Sequence, residues 1–273
     1  MEDMYEHLDP SLVYASTSIP GIGCPELFDE EFLEGCTCKN TMQCFNACDC
    51  TCTKGNESFY DENLRVKWPL PSYPIFECNP KCLCSKVVCK NTVIQRGPIQ
   101  DLSINFISSD KGFGLFCKNK IVKGTFVCTY SGEIIGLEEG RRRTKIQQDQ
   151  NKPNYILFVK EVFSIGPLST VIDPSTIGNI GRYCNHSCDP NLIMIPIRVQ
   201  NLIPHLSLFA TKDIPENTEL TFDYGNPSTS LDATQFITSV EFLTNEEKSK
   251  LIRCLCDAKE KCRKYLPYHK EGY

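Results

Sequence analysis

The sequence predicts a mainly β protein, built of several small sheets and flanked by two cysteine-rich modules. Three observations predict it. From Leu102 onward the apolar residues fall into short runs, LSINFI, TFVCTYSGEII, NYILFV, TVID, LIMIPIRV, HLSLFA and ELTFDY, broken by Gly, Asn, Asp and Pro. Their Ile, Val, Phe, Thr and Tyr suit a pleated, half-buried surface. Ten of the 18 cysteines lie between Cys36 and Cys89, and three more stand near the end as Cys254-x-Cys256-x5-Cys262.

Taken in order, residues 1–35 mix Pro10, Pro20, Gly21, Gly23 and Pro25 with acidic and apolar residues and show no helical period. They are expected to run extended and to pack as an edge strand, with Cys24 a small buried residue. The first cysteine module is expected over 36–98, interrupted by a proline-rich surface loop at Trp68-Pro69-Leu70-Pro71-Ser72-Tyr73-Pro74. The β domain follows over 99–225. Its one convincing helix runs from Leu137 to about Gln150, where Arg141, Arg142 and Arg143 read as a solvated face. A polar connector (226–252) leads to the second cysteine module (253–273).

The N-terminus opens acidic and polar, without a basic stretch before an apolar one, and no run approaches 18 apolar residues. These features predict a soluble intracellular chain with no membrane partner. A net charge of -5 argues against sequence-specific nucleic-acid binding over a wide face and suits a basic peptide. In a reducing compartment disulfides are disfavoured and C-x-C pairs rarely bridge to each other, so thiolate metal ligation is the better account. Zinc takes four ligands, so three ions need twelve ligand positions, which nine thiolates fill if three of them bridge. Such a cluster is net anionic and calls for nearby amides or lysines, of which Lys39, Lys54, Lys81, Lys86 and Lys90 are candidates.

Two segments read as a site. Gly178-Asn179-Ile180-Gly181-Arg182-Tyr183-Cys184-Asn185-His186-Ser187-Cys188-Asp189-Pro190-Asn191 crowds polar groups and thiols between apolar strands, and Glu219-Leu220-Thr221-Phe222-Asp223-Tyr224-Gly225 ends a strand on an aspartate and a tyrosine. Singly, each residue has an ordinary explanation as a turn or a core residue. Together, NHSC-x-PN and ELTFDYG resemble the paired signature segments of the SET-domain protein-lysine methyltransferases. The cysteine clusters resemble the pre-SET and post-SET modules of the Su(var)3-9 type.

That resemblance implies a SET fold with a threaded C-terminal segment, S-adenosylmethionine as cofactor, and methyl transfer to a lysine of the histone H3 tail. Lysine nine is favoured over lysine thirty-six, and the nucleus and chromosome are the expected location, with chromatin as partner. It implies three zinc ions in the pre-SET module on Cys36, Cys38, Cys44, Cys50, Cys52, Cys78, Cys82, Cys84 and Cys89. Cys48 is then spare, the alternative being Cys48 with Cys50. One further zinc is implied on Cys254, Cys256, Cys262 and, from the NHSC segment, Cys188, although the tail spacing is x5 where the family has x4. Lys111-Gly112-Phe113-Gly114 lacks the rest of a dinucleotide fingerprint. By resemblance Gly112, Phe113 and Gly114 lie between strands, against the methionine part of the cofactor. Tyr155, Arg182, Asn185 and His186 are implied to hold the cofactor, Tyr224 to orient the amine, and Tyr130 and Phe222 to shape the lysine channel. Phe222, where a Tyr is associated with fewer methyl groups, implies di- or trimethylation. Two other classes compete: a SET-type chromatin-binding module weak in catalysis, and a zinc-structural interaction protein.

Overall fold

The computed structural model describes residues 10–28, 33–39, 44, 50–53, 58–71, 74–84, 89–150, 152–163, 166–225 and 251–267. In chain order the described strands are β1 (Val13–Tyr14), β2 (Ile19–Pro20), β3 (Ile75–Phe76), β4 (Leu102–Ser108), β5 (Gly112–Cys117), β6 (Phe126–Tyr130) and β7 (Glu133–Ile135). After helix α1 (Leu137–Asp149) come β8 (Leu157–Phe163), β9 (Gly166–Asp173), β10 (Ile177–Gly178), β11 (Asn185–His186), β12 (Leu192–Arg198), β13 (His205–Ala210) and β14 (Thr221–Phe222). They form two four-stranded sheets, β3-β12-β13-β6 and β2-β7-β9-β8, and three two-stranded ones, β4-β5, β1-β10 and β11-β14.

The lead-in does supply an edge strand, since β2 pairs in parallel with β7 through Ile19↔Glu133. Cys24 is half-buried against the main core rather than inside it. The single apolar run TFVCTYSGEII divides into two strands that join different sheets. Its break is held by Asn179, whose Nδ2 donates to Thr129 Oγ1 (3.0 Å) and Ser131 Oγ (3.2 Å) while its Oδ1 accepts from Ser131 N–H (3.3 Å). Gly112 and Gly114 do not lie between strands as expected but inside β5. The ELTFDY run is strand only at Thr221–Phe222. Leu220 N–H donates to Leu115 O (2.7 Å) on one side and Thr221 N–H to Asn191 Oδ1 (2.9 Å) on the other, so the segment lies between β5 and the NHSC loop.

Helix α1 carries Glu138 and Glu139 in its first turn, where the helix dipole favours acids. Arg141 and Arg142 pair with them on the surface. Arg143 departs from the expected solvated face: it is half-buried and bonds Glu133 (2.6 Å), Glu139 (2.7 Å) and Asp173 (2.8 Å), tying the helix to β7 and β9.

Two apolar cores organise the β domain. One gathers Leu115, Val127, Ile134, Ile172, Met194, Leu208, Leu220 and Phe222 between the sheets, and includes Cys117, Cys128 and Cys184. The other packs Phe59, Tyr60 and Val66 of the cysteine-rich module on Phe126, Ile197 and Phe209. A separate buried cluster consists of thiols alone: Cys36, Cys38, Cys44, Cys50, Cys52, Cys78, Cys82, Cys84 and Cys89. Cys48 and most of the 226–252 connector fall outside the described residues, and no described helix is long and apolar enough to cross a membrane.

Candidate active site and zinc centres

The parallel pair β11-β14 sets Asn185 opposite Thr221 and His186 opposite Phe222, bringing the two signature segments side by side. Three rings then line up. Tyr130 meets Phe222 edge-on at 6.0 Å between centroids, and Phe222 lies 4.9 Å from Tyr224. Both phenol hydroxyls are tied to main-chain carbonyls: Tyr130 Oη donates to Tyr155 O (2.6 Å) and Tyr224 Oη to Cys184 O (3.0 Å). Burial pushes both phenols above their ordinary pKa, so they remain neutral donors.

Beside these rings, Asn185 Nδ2 donates to Phe113 O (3.0 Å) and to Glu219 Oε1 (2.9 Å), and Glu219 Oε2 pairs with Lys111 Nζ (2.7 Å). Gly112 has φ +73 and nothing within 4 Å of where a Cβ would stand, a backbone open to a ligand. At Gly114 a Cβ would meet Ile107, Glu219 and Asn185, so glycine is what lets β5 approach Asn185. His186 is buried; desolvation lowers its pKa to about 4, against the nearby Asp223. It is therefore neutral, with Nδ1 accepting from Tyr224 N–H (3.2 Å) and Nε2 lying 3.3 Å from Cys188 Sγ. Arg182 is buried, with its guanidinium 4.2 Å from the Tyr155 ring centroid and Nε donating to Pro174 O (3.0 Å). In this arrangement Arg182 buttresses Tyr155, whose carbonyl in turn holds Tyr130.

The described cysteines are free thiols. Three sets of four sulfurs, each within 4.8 Å of one another, occur among the nine buried thiols: Cys36, Cys38, Cys44 and Cys50; Cys36, Cys52, Cys78 and Cys82; Cys36, Cys44, Cys78 and Cys84. Cys89 faces Cys44, Cys78 and Cys84. Cys36, Cys44 and Cys78 recur among these sets, as bridging ligands would. Desolvation pushes the Cys38 and Cys84 thiols up, a cost that a bound cation would offset. Amides reach the sulfurs, with Cys36 N–H and Asn79 N–H donating to Cys82 Sγ (3.3 and 3.2 Å) and Asn91 Nδ2 to Cys78 Sγ (3.5 Å). A fourth set joins Cys188 to Cys254, Cys256 and Cys262, again within 4.8 Å. The donor chemistry of all four sets fits zinc.

The SET-domain family profile matches residues 112–225 and the Pre-SET motif matches 2–92. The histone-lysine N-methyltransferase SETMAR of Mus musculus is 37% identical over 250 residues, 88% of this chain and 75% of its own. The chain belongs to the SET-domain histone-lysine methyltransferases. Neurospora crassa dim-5, named as H3 lysine-9 specific, is 33% identical over 290 residues, 95% of this chain and 84% of its own. The crystal structure of the methyltransferase domain of human SETMAR superposes with a TM-score of 0.78 at 30% identity, covering 98% of this chain and 93% of that one. The structure of KRYPTONITE with mCHH DNA, an H3(1-15) peptide and SAH superposes with a TM-score of 0.66 at 26% identity, covering 94% of this chain and 48% of that one.

Within this SET domain, the residues expected at the site converge: Tyr130, Phe222 and Tyr224 form one aromatic row, and Phe113, Asn185 and His186 stand beside it. Four residues went unassigned in the sequence. Glu219 orients Asn185, Asn179 holds the strand break after Tyr130, and Asp223 and Arg263 meet behind Tyr224 at 2.6 Å. Their signal was position alone, inside or next to the motifs, and nothing in the composition distinguished them.

Proposed function

We propose that this chain transfers methyl groups from S-adenosylmethionine to a lysine of the histone H3 tail, lysine nine in preference to thirty-six, on chromatin in the nucleus. One observation carries the proposal: buried Tyr130 and Phe222 and half-buried Tyr224 form an aromatic row with both hydroxyls neutral and tied to carbonyls. A lysine ammonium, with an ordinary pKa near 10.4, is disfavoured in such an apolar channel, which therefore selects the neutral nucleophile. Tyr224 Oη spends its proton on Cys184 O and keeps lone pairs that can accept an amine N–H. Phe222 adds no hydroxyl to compete for the amine, which supports more than one round of methylation. The name of dim-5 and the H3 peptide beside KRYPTONITE support the choice of H3.

Gly112, Phe113, Gly114, Asn185 and His186 would hold the cofactor, with Tyr155 and Arg182 bracing the neighbouring wall; S-adenosylmethionine, when bound, supplies a methyl group already activated for displacement. What remains for the protein is positioning. We assign three zinc ions to the pre-SET cluster, on Cys36/Cys38/Cys44/Cys50, Cys36/Cys52/Cys78/Cys82 and Cys44/Cys78/Cys84/Cys89, with Cys36, Cys44 and Cys78 bridging. One further zinc belongs to Cys188, Cys254, Cys256 and Cys262. The corresponding modules are pre-SET 36–98, SET 99–225 and post-SET 253–273.

The test is methyl transfer from labelled S-adenosylmethionine to recombinant H3, wild type beside Tyr224→Phe, with the lysine mapped by mass spectrometry. Label on lysine nine that falls at least about a hundredfold in the variant is the expected result. No label from a folded, zinc-loaded chain that binds the cofactor would reject H3 as substrate, and no cofactor binding would favour a chromatin-binding module.

A further inference from the structure

Arg263 immediately follows Cys262, one of the four thiols gathered at the tail. Its neighbours Lys259, Lys261 and Lys264 are exposed, yet Arg263 itself is only 5% exposed. Its main-chain N–H donates to Cys188 Sγ (3.4 Å), and its Nη2 donates to Asp223 Oδ1 (2.6 Å) and lies 3.3 Å from His186 Nε2. One residue thus touches the thiolate set with its backbone and the active-site floor with its side chain.

Asp223 Oδ1 also accepts from Gly225 N–H (3.0 Å), fixing the turn that carries Tyr224, and Tyr224 N–H donates to His186 Nδ1 (3.2 Å). On its other side His186 Nε2 lies 3.3 Å from Cys188 Sγ. Tyr224 is therefore reached by two arms that meet at Cys188, the sulfur that joins the tail's thiols: one through His186, and one from Asp223 through Arg263, whose main-chain N–H donates to Cys188 Sγ. A residue needed only to fill space here would be apolar, because burying a guanidinium is unfavourable unless a carboxylate meets it. We propose that Arg263 is a positioning residue for methyl transfer, through which the zinc-bound tail fixes the Asp223–Tyr224 turn in its working pose. This rests on the methyltransferase reading above.

The test compares zinc-loaded wild type with Arg263→Gln, Arg263→Lys, Asp223→Asn and the Arg263→Gln/Asp223→Asn double variant, measuring kcat, KM for an H3 peptide and zinc content. Loss of one charge-assisted hydrogen bond predicts that Arg263→Gln lowers kcat about tenfold to a hundredfold, with KM moved less than about threefold and zinc content unchanged. Arg263→Lys recovers part of the loss. On the Asp223→Asn background, Arg263→Gln costs less than about threefold more, because the shared bond is already gone. Wild-type kcat in Arg263→Gln, fully multiplicative losses in the double variant, or loss of the tail's zinc in step with activity would each overturn the proposal. If Arg263→Gln does not fold, the same cycle is run with Arg263→Lys. A wild type that transfers no methyl group to any histone sinks the methyltransferase reading instead, a result distinct from all of these.

Discussion

Replacing Glu77 is expected to loosen the joint between the thiol cluster and the SET sheet. Glu77 is fully buried and precedes Cys78, and its Oε1 accepts from Tyr60 Oη (2.7 Å), Val93 N–H (2.7 Å) and Ile94 N–H (2.9 Å) while Oε2 accepts from Gln95 Nε2 (2.9 Å). Desolvation raises its pKa and the four donors work against that rise. Gln95 Nε2 retains Cys78 O at 2.8 Å after truncation, but Tyr60 Oη and two backbone N–H groups are left buried without an acceptor. At about 1–3 kcal/mol for each orphaned donor, and allowing for partial rehydration of the cavity, Glu77→Ala should cost about 4–6 kcal/mol. Glu77→Gln keeps one acceptor oxygen and sets an amide against Gln95, so it should cost about 1–3 kcal/mol. Urea unfolding of the zinc-loaded chains, followed by circular dichroism, measures both. An alanine variant within about 1 kcal/mol of wild type, or a glutamine variant as unstable as the alanine one, would refute the hydrogen-bond reasoning.

Phe222→Tyr introduces a hydroxyl beside Tyr224, in a position only 1% exposed, and should shift the product toward monomethyl-lysine; an unchanged product distribution in mass spectra would remove Phe222 from control of product state. A chelator should take the tail's zinc first, because Cys188, Cys256 and Cys262 are partly exposed whereas the nine pre-SET thiols are buried. Activity should vanish with the first zinc released, and activity that outlasts it would break the link between tail and site. His205, whose pKa desolvation lowers to about 4 from 6.5, is neutral in the fold. Its contribution is whole above pH 6.5 and is lost as pH falls toward 4, worth about 2 kcal/mol once screening at its partly exposed edge is allowed for. The difference in stability between wild type and His205→Gln should therefore change across that window, and a pH-independent difference would contradict the assignment.

Much of the fold was legible in the sequence because its causes are local. Strand-forming runs bounded by breakers became β4, β8, β9, β12 and β13, and the 137–150 helix ends one residue from its expected limit. The C-x-C spacings foretold sulfur clusters because residues one apart can reach one ion whatever surrounds them. Where local pattern misled, distant contacts had intervened: Asn179 breaks the 125–135 run at Ser131, and Arg143 leaves the solvated face because Glu133 and Asp173 wait for it on β7 and β9.

The sequence by itself determined the class of chemistry, through the types and spacing of the thiols and through the two motifs that bear Asn185, His186, Phe222 and Tyr224. Only the tertiary structure decided how those groups are held. The threading of 219–224 against 185–191 selects Glu219 as the partner of Asn185, and the return of the tail selects Arg263 as the partner of Asp223. Glu219 stands 34 residues from Asn185, and Arg263 stands 40 from Asp223. No local periodicity encodes such a pairing, because which charge is buried against which depends on where the whole chain has folded.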